Sequence, residues 1–226
     1  MGLSLVGIDC DLGETSVQIA SDSYGIGELA TRRLIDDGCS RILCLRNNSR
    51  MRMPANKRTD AYHDVVEQAG LPVLVREVEF VKSDDEKSAV VAKILDENPD
   101  IDGIFAGDDT MAAICLNVMK RRGLSAPDDI KVVGADGARR TMTFMPDLTT
   151  VRQDIDRIGE LAAQSIIALV NGEKPESNTK LPVELIEAKP RSSSRAKRIP
   201  QTPLMTVRRH MSTVCRRLEL RKDVLM

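Results

Sequence analysis

Several polar residues stand where a repeating strand–helix rhythm would place ligand-contacting groups. Asp9 follows LVGI, Asp22 follows VQIAS, Asp108 and Asp109 follow IFAG, and Asp136 follows IKVVGA. Arg58 opens a helical stretch and Gln153 closes the extended run LTTVRQ. Carboxylates accept hydrogen bonds from hydroxyls, a guanidinium donates to two oxygens at once, and an amide does both. Left unpaired in a core, such groups would cost several kcal/mol each, roughly 2–7 for a neutral one and more for a charge. They are therefore expected to face a hydrated cleft that receives a hydroxyl-rich small molecule. Each also has a plainer structural role. Asp109, ahead of Thr110-Met111-Ala112, is equally suited to capping a helix, and so is Asp22 ahead of Tyr24. Asp136-Gly137 suits a turn, and Arg58 and Gln153 suit a solvent-facing surface.

The elements that must position these groups follow from hydrophobic spacing. Short apolar runs predict strands at Leu3–Asp9, Val17–Ala20, Arg41–Leu45, Val73–Phe80, Asp102–Ala106, Ile130–Ala135 and Leu181–Glu187. Apolar residues at helical spacing predict helices at Ile26–Asp37, Ala55–Ala69, Asp84–Leu95, Asp108–Arg122 and Ile155–Val170, stopped by Gly38, Gly70, Gly123 and Asn171-Gly172. Arg46–Asn56, polar and basic, reads as a surface loop. Strands and helices alternate with short connections, which buries strands on both faces and implies a mostly parallel sheet.

Composition narrows the class. In 226 residues there are no Trp, two Tyr and three Phe, too few rings for a stacking platform on single-stranded nucleic acid. The five cysteines, at 10, 39, 44, 115 and 215, form no CxxC pair, and the two histidines are at 63 and 210, so neither disulfide scaffolding nor a zinc site is expected. No metal or cofactor is expected, and a reducing cytosol suits the set. No apolar run approaches eighteen residues, so no membrane span is expected. Charge divides the chain: residues 1–189 are net −9 and residues 190–226 net +8. The first segment reads as a folded domain. The second reads as a basic tail, disordered or a short helix over 204–226, with only non-specific affinity for nucleic acid.

These motifs, in this order, resemble the effector-binding domain of LacI-type transcriptional repressors, itself similar to periplasmic sugar-binding proteins. The resemblance runs from about Leu5 to Ala188. It is carried by Asp22-Ser23-Tyr24 with Gly27, Ala30, Leu34-Ile35, Gly38 and Arg41-Ile42, then by Arg58 through Tyr62 with Ala69-Gly70. Ile104–Asp109, Pro127–Ile130 into Val132–Asp136, Leu148–Gln153 and Leu181-Pro182 with Glu184-Leu185 continue it. The resemblance implies an α/β, periplasmic-binding-protein-like fold of parallel sheets flanked by helices, with an incomplete N-terminal lobe. It implies a sugar or similar small polar effector held by Asp22, Arg58, Phe80, Asp108, Asp136 and Gln153. It also implies a homodimer, and operator DNA reached only through a helix-turn-helix that residues 1–189 do not carry. A lobe short of strand–helix units is expected to be marginally stable on its own.

Two other readings stand beside this one. LVGIDCDLGET resembles the opening motif of haloacid-dehalogenase-type phosphatases, which would make Asp9 and Asp11 the nucleophile and acid/base, with magnesium on Asp108 and Asp109. The residue two after Asp11 is Gly13, where that motif has Thr or Val. The remaining reading is a dimerising remnant that senses nothing.

Overall fold

The computed structural model describes residues 5–10, 12–13, 16–48, 56–79 and 81–188. Nine strands and six helices lie within them: β1 Val6–Ile8, β2 Val17–Ser21, α1 Ser23–Asp36, β3 Ile42–Asn48, α2 Asn56–Gln68, β4 Leu74–Glu79, α3 Asp84–Glu97 and β5 Gly103–Ala106, followed by α4 Asp109–Arg121, β6 Lys131–Asp136, α5 Arg139–Phe144, β7 Thr149–Gln153, α6 Ile155–Val170, β8 Asn178–Leu181 and β9 Val183–Ile186. They form two sheets. One has six strands in the order β4-β3-β5-β6-β7-β9, and the other has three in the order β1-β2-β8. Every pairing is parallel except β7 with β9. This is the α/β, periplasmic-binding-protein-like fold with helices flanking the sheets.

Burial on both faces explains the continuous apolar strands. On one face of the large sheet, Leu43, Leu45, Ile104 and Val132 pack with Ile94, Met111 and Cys115 from α3 and α4. On the other, Cys44, Phe105, Val133 and Val151 pack with Ile26, Leu34, Tyr62 and Val66 from α1 and α2. The small sheet has a much thinner core, Val17 and Ile19 against Ile158 of α6. The outer face of α6 leaves Ile166, Ile167 and Val170 exposed.

The helix starts show why the boundaries fall where they do. Asp22 accepts from the Gly25 amide and starts α1 three residues ahead of its apolar repeat. Ser83 and Glu86 form a reciprocal capping box on α3. Asp154 caps α6 through the Arg157 amide.

Four expectations need correction. Arg46–Asn48 is not loop but the end of β3, because its backbone pairs in register with Glu77–Glu79. The expected final strand over Leu181–Glu187 is two strands in different sheets, broken at Pro182, which cannot donate to a ladder. Helix α5 has no buried residue and hence no apolar period to reveal it. Asp109 does not cap α4; Asp108 does, through the Met111 amide at 2.7 Å. Phe80, Asp11 and the tail 190–226 lie outside the described residues.

The chain passes between the two sheets three times, at Asp22, Asp154 and Pro182. Two of these crossings are tied together, as the Asp22 amide donates to Leu181 O at 2.8 Å.

Candidate effector site at the ends of β5, β6 and β7

Arg58 stands in the first turn of α2, and two contacts fix that turn. Gly27 of α1 packs so closely that an added Cβ would stand 2.8 Å from the Arg58 carbonyl carbon and 2.9 Å from its Cα. Further along α2, the buried Tyr62 hydroxyl donates to Ile42 O at 2.8 Å and accepts from the Leu74 amide at 2.9 Å. The helix is thus locked to α1, β3 and β4. Its arginine reaches across the strand ends, donating through Nη1 to Gly107 O at 2.5 Å and through Nη2 to Asp136 Oδ1 at 3.2 Å. The Arg58 side chain is only 11% exposed.

Asp136 ends β6 in an uncommon conformation, with φ at +108° and Gly137 following at +59°. Positive φ in a non-glycine residue costs on the order of 1–3 kcal/mol and persists only where the surroundings enforce it. The enforcement comes from Asp109. Its buried carboxylate accepts from the Gly137 amide at 2.9 Å and from Thr150 Oγ1 at 2.6 Å, tying β6 to β7. Gly134 leaves room for it, since a Cβ there would stand 2.5 Å from Asp109 Oδ1. Gln153, buried at the end of β7, donates through Nε2 to Asp136 Oδ1 at 2.7 Å. Asp136 therefore receives both Arg58 and Gln153 on one oxygen.

Electrostatics follow from this crowding. Burial pushes the Asp136 carboxyl up to about 6, with the charges of Asp108 and Asp109 adding to the rise and Arg58 opposing it. Burial also raises Asp109, against the opposing hydrogen bonds from Thr150 and Gly137. Asp108 sits behind the pair. One of its oxygens caps α4 and the other accepts from Asn47 Nδ2.

The expected residues thus divide. Arg58, Asp136 and Gln153 meet in one bonded cluster, and Asp108 adjoins it through Gly107 and Asn47. Asp22 joins none of these bonds. It caps α1 at a crossing and pairs with Lys180 Nζ at 3.4 Å. Asn47 has no place among the strand-end candidates, because the polar stretch around it carries no strand signal. Asp109, which is one of them, neither faces the cleft nor caps α4 but braces β6 and β7. A cavity of about 890 Å³ is lined by Gly137, Met142, the crossing residues Asp154 and Pro182, and Gln153, the one residue of the cluster that borders it. A smaller one of about 370 Å³ lies between α3 and α4 and includes none of these residues.

Of the two acids of the phosphatase motif, Asp9 is described and Asp11 is not. Asp9 Oδ1 accepts from the Ser21 amide at 3.0 Å, which ties the carboxyl end of β1 to that of β2. Among the described residues no group of three or more His, Cys, Asp or Glu side chains is arranged to hold a metal ion.

Residues 31–194 match the family model described as a periplasmic binding protein-like domain. The chain belongs to that family, in its LacI-type branch. A ribose operon repressor from Halalkalibacterium halodurans is 31% identical over 167 residues, covering 74% of this chain and 50% of that protein. A sucrose operon repressor from Lactococcus lactis is 31% identical over 172 residues, covering 76% and 52%. The chain thus spans about half the length of the curated relatives it matches. Among solved structures, a LacI family transcriptional regulator from an Arthrobacter species, in complex with lactose, superposes with a TM-score of 0.71 at 25% identity, covering 83% of this chain and 70% of that one. These relatives bear the names of regulators, and the phosphatase reading is set aside.

Proposed function

We propose that this domain is the effector-sensing part of a cytoplasmic LacI-type transcriptional regulator, and that it binds a small polar, sugar-like molecule at Arg58, Asp136 and Gln153, with Asp108 behind them. One observation carries the reading. Side chains from α2, β6 and β7 converge at the carboxyl ends of parallel strands, and three polar atoms of the cluster, Arg58 Nε, Gln153 Oε1 and Asn47 Oδ1, are buried without a hydrogen-bond partner among the described residues. Unpartnered buried polar atoms are rare because each costs on the order of 1–3 kcal/mol. A ligand with several hydroxyls would satisfy them. Carboxyl strand ends are also where open α/β sheets bind ligands. The Arthrobacter neighbour, solved with lactose, supports the ligand class.

Binding would be transmitted through the crossings at Asp22, Asp154 and Pro182. A ligand held on the large lobe that also meets the small lobe favours the closed arrangement by its differential affinity for it. In the assembled regulator two such domains would pair, and operator DNA would be read by a separate helix-turn-helix. Phe80 and Asp22 keep supporting places in the proposal, Phe80 as a surface against which a ring stacks and Asp22 as a crossing residue.

The test is a ligand panel. Ribose, sucrose and lactose are titrated against the wild-type chain and against Arg58→Ala, with thermal unfolding and calorimetry as readouts. At least one sugar should raise the melting temperature, as a ligand selective for the folded state must. Arg58→Ala should weaken that binding by about 2 kcal/mol, the loss of a charged hydrogen bond. A flat response to every sugar, or unchanged affinity in Arg58→Ala, would reject the proposal.

A further inference from the structure

The hydrogen-bonding capacity left over at the cluster is lopsided. A carboxylate only accepts, so each neighbouring amide must turn its NH2 group towards one: Gln153 Nε2 to Asp136, Asn47 Nδ2 to Asp108. The carbonyl ends of both amides are left over, and both are buried without a partner among the described residues. Gln153 is 8% exposed, so its Oε1 has no bulk water to fall back on. On the donor side Arg58 spends one N–H of each terminal nitrogen, on Gly107 O and on Asp136, and its Nε is buried without a partner. Of the buried atoms of the cluster that have no partner at all among the described residues, two are amide carbonyl oxygens and one is a guanidinium nitrogen.

Charge points the same way. The charges of Asp108 and Asp109 add to the rise of the Asp136 carboxyl, and Arg58 is the guanidinium paired with it. Arg46, at the end of β3, is bonded instead to Glu77 of β4. An incoming phosphate or carboxylate cannot donate to the two buried carbonyls, and it brings negative charge beside Asp108, Asp109 and Asp136.

We infer that the site selects an uncharged polyhydroxyl ligand over its phosphorylated or acidic counterpart, and that Asn47, with Gln153, is a specificity-determining residue which accepts from ligand hydroxyls. The inference rests on the effector reading above and narrows it. A site built to accept from a ligand hydroxyl rejects an analogue that cannot donate there, because its own buried carbonyl is left unmet.

Three matched pairs test this on the full chain: ribose with ribose 5-phosphate, sucrose with sucrose 6-phosphate, and lactose with lactose 6-phosphate, by calorimetry at neutral pH. The neutral member of a binding pair should bind at least tenfold more tightly than its ester. Asn47→Ala and Gln153→Ala should each lower affinity for the neutral sugar at least tenfold and narrow the gap to the ester. Thermal unfolding of each ligand-free variant separates lost binding from lost folding, and either variant suffices if the other fails to fold. An ester that binds as tightly as the neutral sugar, or affinities unmoved in both variants, would overturn the inference while leaving the effector reading intact. Silence from all six compounds would overturn both.

Discussion

Gly27→Ala gives the sharpest check on how the fold places Arg58. An added Cβ overlaps the Arg58 carbonyl oxygen and stands 2.8 Å from its carbon, where unstrained carbon contacts lie near 3.5–4.0 Å. These are backbone atoms, so no side chain can rotate out of the way. Helices α1 and α2 must separate by on the order of 1 Å, the scale of overpacking that costs about 1–3 kcal/mol. For a domain of this size that lowers the melting temperature by roughly 2–4 °C per kcal/mol. The same displacement carries the guanidinium away from Asp136, which it reaches at 3.2 Å. Sugar affinity should fall at least tenfold in the variant at a temperature where it is fully folded. Gly159→Ala is the control. Nothing lies within 4 Å of its Cβ position, so α6 should gain roughly 0.5–1 kcal/mol of helix propensity with no effect on binding. Thermal unfolding followed by circular dichroism and calorimetric titration reads both effects. If Gly27→Ala melts within 1 °C of wild type and binds sugar unchanged, the account of α2 positioning is wrong.

Further predictions follow the same geometry. Asp109→Ala strands the Gly137 amide and the Thr150 hydroxyl, two buried donors, and should cost about 2–5 kcal/mol in urea unfolding; a loss under 0.5 would refute its tie between β6 and β7. Asp22→Ala removes a helix cap and should cost about 1 kcal/mol while leaving sugar affinity unchanged, since Asp22 stands outside the Arg58 cluster; a tenfold loss of affinity would return it to the pocket. The Asp136 carboxyl, raised to about 6, binds its proton more tightly folded than unfolded. Its contribution to stability is therefore complete below the ordinary carboxylate range, near 4, and lost as pH rises through 6. Sugar binding should run the other way, weakening as pH falls through 6 and the pairing with Arg58 is discharged. Asp136→Asn should flatten the stability profile between pH 4 and 6 and the binding profile around pH 6, and an unaltered inflection would assign it to another group.

Much of the architecture was already legible in one dimension. Buried parallel strands need apolar residues at consecutive positions, and runs such as IFA at Ile104–Ala106 and VVGA at Val132–Ala135 admit little else. Gly38, Gly70, Gly123 and Gly172 all take positive φ at helix ends, where only the absence of a Cβ makes that conformation cheap. Acids following strands mark one edge of a parallel sheet, whatever their separation along the chain, and the family resemblance singles out Arg58, Asp136 and Gln153 among the groups there.

Other features depend on contacts between distant segments and leave no local mark. The strand character of Arg46–Asn48 comes only from pairing with Glu77–Glu79, since three polar residues have no apolar period of their own. Leu181 and Val183 fall into different sheets because Pro182 interrupts the ladder at a crossing. That Asp108 caps α4 while Asp109 turns inward reflects the space at Gly134, an element away in sequence. Composition and spacing alone therefore determined the fold class, the succession of elements and the edge on which polar groups gather. Which oxygen and which nitrogen of those groups remain unmatched was decided only when the chain closed on itself, because a hydrogen bond between residues 58 and 136 is a property of three-dimensional distance and not of either residue.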